Sequence, residues 1–247
     1  MSFANPESVL VAGASGGLAR ALGAELVRRN PQVQLLTVSR GAKEGFVGHS
    51  GSHEHLTTAL DETASVDAAR EFIAAQERLP DWVINCCGLL HTDTHGPEKS
   101  LEQCDDDWLL QSMQINVLTH LHLARALSPL LQRRSPMLWV SLSAKVGSIE
   151  DNRLGGWYSY RMSKAALNML VKNLSIEWGR RVPGSCVVAI HPGTTDTELS
   201  KPFQANIPAD KLYTPAQSAG RIVDVLEKLD AEDSGQLLFW DGSVLPW

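Results

Sequence analysis

Cysteine, charge of one sign and long apolar runs are all scarce in this 247-residue chain, and each scarcity removes a class of protein. The four cysteines, Cys86, Cys87, Cys104 and Cys186, contain no Cys-x-x-Cys pair, so neither a disulfide framework nor zinc spacing is expected. Scattered thiols suit a reducing compartment. Lysine and arginine number 22 against 28 acidic residues, a net charge of −6 that gives nucleic acid nothing to bind. No apolar run approaches a membrane span. Met1 to Ser8 lacks the basic flank and apolar core of a secretory leader. The expectation is a cytoplasmic protein with neither membrane nor nucleic-acid partners. No repeat, low-complexity tract or linker divides the chain, so residues 1–247 read as one domain, large enough to bury its core without metal or disulfide.

What is present is an alternation. Short apolar runs at Val9–Ala12, Val33–Val38, Glu54–Leu60, Trp82–Asn85, Met137–Leu142, Cys186–His191 and Gln236–Phe239 read as strands, several apolar throughout, as in sheets covered on both faces. Between them, Leu18–Arg29, Val66–Arg78, Asp106–Leu131, Tyr158–Gly179 and Pro215–Leu229 read as helices. The pattern predicts a single-domain α/β fold, a doubly wound parallel sheet of the Rossmann type with about seven strands and helices on both faces. Residues 198–214 follow a strand end, where such sheets place their ligand crevice, and are expected to form a substrate lid.

Two local patterns carry chemistry. Gly13, Gly16 and Gly17 lie between an apolar strand and a helix start at Leu18, where glycine allows a tight turn and lets backbone amides approach a pyrophosphate at a helix N-terminus. Tyr160 and Lys164 are four apart on a helix and share one face. An ammonium beside a phenol favours the phenolate, lowering a pKa that is otherwise near ~10. After the second strand stands Arg40, where NAD-preferring proteins place an acid; a guanidinium there suits the 2′-phosphate of NADP, with NAD disfavoured. No metal site is expected: His49, His53 and His55 have no acidic or cysteine partner at ligand spacing and read as a solvated loop. His91 and His95 read as surface residues near the substrate mouth, which Trp157 and Tyr158 would border.

Taken in order, these residues resemble the short-chain dehydrogenase/reductase family over nearly the whole chain. Gly13-(x)3-Gly17, Asn85-Cys86-Cys87-Gly88, Asn116, Ser143, Tyr160-(x)3-Lys164 and Pro192-Gly193-Thr194-Thr195-Asp196-Thr197 are similar to its successive motifs. Gly147-Ser148-Ile149 and the stretch Gly155 to Arg161 look most like its C-factor and sniffer-type carbonyl reductase branch. The resemblance implies hydride transfer between NADP(H) and a small carbonyl or alcohol, with Tyr160 as acid/base, Lys164 lowering its pKa and bonding the nicotinamide ribose, Ser143 holding the carbonyl oxygen, and Asn116 holding a water linked to Lys164. Ser141 and Ser148 lie near Ser143, and Ala144 takes a place where relatives often carry serine; Ser143 is chosen because it follows the strand. The resemblance further implies cofactor contacts from Gly13, Ser15, Gly16, Gly17, Leu18, Arg40, Asp61, Asn85, Gly88, Pro192, Gly193, Thr195 and Thr197, and a homodimer or homotetramer. Two alternatives stay open: a signalling or regulatory protein that binds the dinucleotide with little turnover, and an unrelated doubly wound binder.

Overall fold

A computed structural model describes residues 3–43, 45–134 and 136–247, and of Asn206 the backbone alone. Eight strands form one sheet: β1 (Ser8–Ala12), β2 (Gln34–Ser39), β3 (His53–Thr57), β4 (Trp82–Asn85), β5 (Leu138–Leu142), β6 (Cys186–His191), β9 (Leu237–Phe239) and β10 (Val244–Leu245). Two-residue strands β7 (Thr194–Thr195) and β8 (Leu212–Tyr213) pair separately. The main sheet runs β10-β9-β6-β5-β4-β1-β2-β3, parallel except for the terminal β9–β10 pair. That edge strand, two residues long, is the eighth beyond the seven expected.

Side-chain alternation divides the core. Val9 and Val11 face the layer of α1 (Gly17–Arg29) and α6 (Pro215–Leu226), whereas Leu10 and Ala12 face α2 (Ser65–Ala74), α4 (Thr119–Leu127) and α5 (Tyr158–Arg181). Both faces are thereby covered, as parallel sheets require. Strand order reverses between β1 and β4, so the chain leaving their carboxyl ends diverges and opens a crevice there. Residues 13–17, 86–90, 143–147 and 192–197 all leave strands at this end.

Several expected elements differ in extent, three of them for visible reasons. β3 stops at Thr57 rather than Leu60, because its partner β2 ends at Ser39, paired with Thr57, and offers no further ladder. α2 stops at Ala74 rather than Arg78; the Gln76 side-chain amide takes the Phe72 carbonyl at 2.9 Å and the backbone tightens. The expected helix Asp106–Leu131 is broken into α3 (Asp106–Met113), a π-turn over Gln114–Leu118, α4, and a short 3-10 turn at Ser128–Leu130. Pro129, lacking an amide hydrogen, ends α4, and the π-turn is centred on Asn116.

Candidate active site

Helix α5 carries the reactive pair. Tyr160 is 8% exposed and packs in an apolar cluster with Leu90, Ala144, Val146, Trp157 and Phe203. Its hydroxyl bonds to no described residue and keeps some contact with solvent. Lys164 lies one turn on, 3% exposed, its Nζ 5.8 Å from the Tyr160 ring centre and 2.9 Å from the Leu142 carbonyl oxygen. Burial drives both groups toward neutrality: the phenol is pushed up, and the ammonium comes down to about 8. The expectation that Lys164 lowers the Tyr160 pKa is therefore not met in this geometry. The ammonium is turned toward Leu142, and desolvation dominates the phenol.

Asn116 has a more fully determined environment than expected. Its Oδ1 accepts the Leu89 amide at 2.6 Å, and its Nδ2 donates to the Leu89 carbonyl and to Ser163 Oγ, both at 2.9 Å. The side chain thus ties the π-turn to the loop after β4 and to α5; both amide hydrogens are used within the protein, leaving a water only the second lone pair of Oδ1. The site still converges: a Cβ on Gly88 would lie 3.5 Å from Asn116 Oδ1 and 3.6 Å from Lys164 Nζ.

Ser143, expected to hold the carbonyl oxygen, spends its proton within the protein. Its Oγ donates to Asn168 Oδ1 at 2.6 Å, and Asn168 Nδ2 donates to the Gly147 carbonyl at 3.2 Å. A hydroxyl has one proton, so none remains for a substrate oxygen in this arrangement. Ser141 is similarly turned inward, toward His120 Nδ1 at 3.1 Å. Ala144, rather than any of the three nearby serines, shares the apolar cluster of Tyr160. Asn168, one turn beyond Lys164, was not singled out by the sequence, although spacing places it on the same face.

The glycine turn suits a dinucleotide. Gly13 has φ +72°, and Gly16 caps α1 without a side chain. No acidic residue stands in the first turn, and the amides of Gly17, Leu18 and Ala19 find no acceptor among the described residues. These are the donors a pyrophosphate takes at a helix N-terminus. Thr197 comes over the turn, its Cγ2 3.1 Å from where a Gly17 Cβ would lie. Arg40 is exposed beyond β2 and makes no hydrogen bond or ion pair with a described residue. Ser15 lies beside Gly41, within 3.6 Å of a Cβ built there.

Other expected cofactor contacts are placed differently. Asn85 is fully buried, bonding the Cys87 amide at 3.0 Å and the Thr119 carbonyl at 3.3 Å, so it shapes the turn rather than touching a ligand. Thr195 Oγ1 pairs with Ser218 Oγ at 2.7 Å, directed into α6. Leu18 has no acceptor for its amide among the described residues, and its side chain packs on the core. Asp61 lies in the loop after β3, and its carbonyl accepts Gln114 Nε2 at 3.5 Å. Pro192 and Gly193 leave β6 with φ +75° at the glycine, where Trp240 and Tyr213 fill the space a side chain would need. Of the histidines, His53 and His55 bond Thr37 Oγ1 at 2.9 Å, and no group of three or more metal-ligand side chains occurs among the described residues.

The segment expected to act as a lid lies against the site. His91 Nε2 meets the Glu198 carbonyl at 3.0 Å, and Phe203 packs on Trp157 with ring centres 5.2 Å apart and on His91 at 5.8 Å. No helix among the described residues is long and apolar enough to cross a membrane.

Comparison with known proteins agrees with this geometry. A sequence profile described as short chain dehydrogenase matches residues 7–208. The 1-hydroxy-2-glutathionyl-2-methyl-3-butene dehydrogenase of Rhodococcus sp. (strain AD45) is 31% identical over 243 residues, 97% of this chain and 99% of its own. The C-signal protein of Myxococcus xanthus is 32% identical over 139 residues, 56% of this chain and 78% of its own. The NADPH-bound carbonyl reductase from chicken fatty liver superposes with a TM-score of 0.84 at 24% identity, covering 100% of this chain and 96% of that one. The chain belongs to the short chain dehydrogenase family of nicotinamide-dependent oxidoreductases.

Proposed function

We propose that this protein is an NADP(H)-dependent oxidoreductase that interconverts a carbonyl and an alcohol, with Tyr160 as general acid and base. The observation that carries the reading is a phenol hydroxyl with no partner among the described residues and some contact with solvent, beside a buried lysine and downstream of a helix N-terminus whose amides find no acceptor among those residues. NADPH, when bound, supplies the hydride. Tyr160 then protonates the oxygen of the reduced carbonyl; its raised pKa keeps the proton in place across the neutral range. Lys164 holds positive charge below pH about 8, next to the developing negative charge. Ser143 acts through Asn168 to fix α5 against the loop after β5, which leaves the oxygen contact to Tyr160. Arg40 would bind the 2′-phosphate and favour NADP over NAD. Residues 198–214 would form the lid of a single catalytic domain, with Phe203 and Trp157 making an apolar wall that suits an apolar group beside the carbonyl. The four free thiols suit a cytoplasmic setting. An exposed stripe of Met162, Met169 and Ile176, spaced by sevens along α5, supports a homodimer.

The test is to bind NADPH and NADH by fluorescence, to follow NADPH loss with apolar ketones and aldehydes, and to follow NADPH formation from NADP+ with a hydroxylated glutathione thioether as the reverse substrate. NADPH bound more tightly than NADH, with turnover of at least one class, is the expected result. Tight NADPH binding with no turnover would favour a signalling role of the kind suggested by the similarity to C-signal.

A further inference from the structure

Glu98 is a buried acid that the proposed chemistry does not use. It lies in the loop after β4, is 2% exposed, and has no cation within ion-pair distance among the described residues. Its carboxylate accepts the Ser159 amide at 3.3 and 3.2 Å and the Ser159 hydroxyl, and its backbone carbonyl accepts the Trp157 amide at 2.5 Å. Burying an ionised carboxylate without a cation is costly unless hydrogen bonds and a local field compensate. Here both come from the first turn of α5, whose N-terminal end carries partial positive charge and unbonded amides.

The start of α5 explains why the cap comes from so far away. Gly155, Gly156 and Trp157 have φ of +65°, +63° and +54° in succession, and Trp157 occupies the capping position. An indole cannot accept an amide proton, and a bulky residue at positive φ is strained. In exchange, Trp157 lies in the apolar cluster with Tyr160 and Phe203. The chain has an aromatic wall where a local cap would normally stand.

We infer that Glu98 is a positioning residue: it caps α5 from another element and fixes the first turn, so that Trp157 and Tyr160 keep their places in the crevice. The inference rests on the proposed reductase reading for its kinetic consequence, not for the cap itself. Both parts can be measured. In Glu98→Ala, amide hydrogen exchange should quicken at Ser159, whose amide loses its carboxylate acceptor. With a carbonyl that the wild type reduces, kcat should fall roughly tenfold to a hundredfold, the scale of losses from small misplacement, while NADPH affinity stays at the wild-type value. Glu98→Gln, whose amide can take the Ser159 N–H and donate to its hydroxyl, should recover most of the rate. Should Glu98→Ala not fold, Glu98→Asp replaces it: the shorter side chain withdraws the carboxylate, and the same kcat loss is expected. Wild-type kcat in the folded variant, or NADPH affinity falling in step with kcat, would overturn the positioning role. Unchanged exchange at Ser159 would overturn the cap. A wild type that reduces nothing would instead count against the reductase reading, with the exchange result still deciding the cap.

Discussion

Lys164 is held at 3% exposure with no carboxylate partner among the described residues, and its pKa falls from an ordinary 10.5 to about 8. Between those values the unfolded chain binds more protons than the native one, so this residue makes stability rise with pH from about 8 to 10.5. Below pH 8 the native state carries the full penalty, on the order of 3 kcal/mol. Lys164→Met should therefore raise the unfolding free energy at pH 7 by roughly 1–3 kcal/mol, less the Leu142 contact, and lose that advantage by pH 10.5, while turnover disappears; denaturant unfolding at the two pH values checks the sign. Ser143→Ala leaves the Asn168 oxygen unpaired in the core and should cost about 1–3 kcal/mol of stability, with a smaller loss of kcat than removal of the Tyr160 hydroxyl. A loss equal to that of Tyr160→Phe would restore Ser143 as the contact to the substrate oxygen. The Tyr160–Lys164 pair was legible because four-residue spacing fixes a shared helix face. Strand alternation also bore on the serines, since Ser141 and Ser143 share a parity that turns both toward the α4–α5 layer, onto His120 and Asn168. Glu98 could not be read in advance: it meets its partner across 61 residues of sequence, and no local period encodes that.

Among the elements, strands and helices stood out wherever burial on both faces produced unbroken apolar runs, as in β6, whose limits match the expectation residue for residue. The failures occur where tertiary contacts override local preference. Asp106–Leu131 has helical periodicity throughout, yet Asn116 bonds Leu89 in both directions and inserts a π-turn. Insertions of this kind recur at functional sites. Residues 198–214 were readable as a polar, proline-bearing segment after a strand end, but their contacts were not, because Phe203 meets Trp157 only once the chain has folded. Phe203→Ala should raise KM for an apolar carbonyl by about five- to thirtyfold, the worth of 1–2 kcal/mol, and leave NADPH affinity unchanged. A matching loss of NADPH affinity would instead place Phe203 at the cofactor.

At the scale of the molecule, the sheet order is what turns scattered motifs into a site. Glycine turn, β4 loop, β5 loop and β6 loop all leave the sheet at one end, and α5 lays Tyr160 and Lys164 across it. The outer face of α5 carries Met162, Met169 and Ile176 at 51%, 61% and 46% exposure, and Leu110 is exposed on α3, which packs against α5. Apolar groups repeated along one face are what a helix-paired dimer buries. Sedimentation should show a dimer that Met169→Glu with Ile176→Glu converts to monomer; a monomeric wild type would dismiss that face as an interface. The central claim concerns the phenol, and one comparison tests it most directly: kcat and NADPH affinity of Tyr160→Phe against wild type on the same carbonyl. The account predicts a kcat loss of roughly a hundredfold or more with NADPH affinity retained. A Tyr160→Phe protein that reduces the carbonyl at the wild-type rate would contradict it.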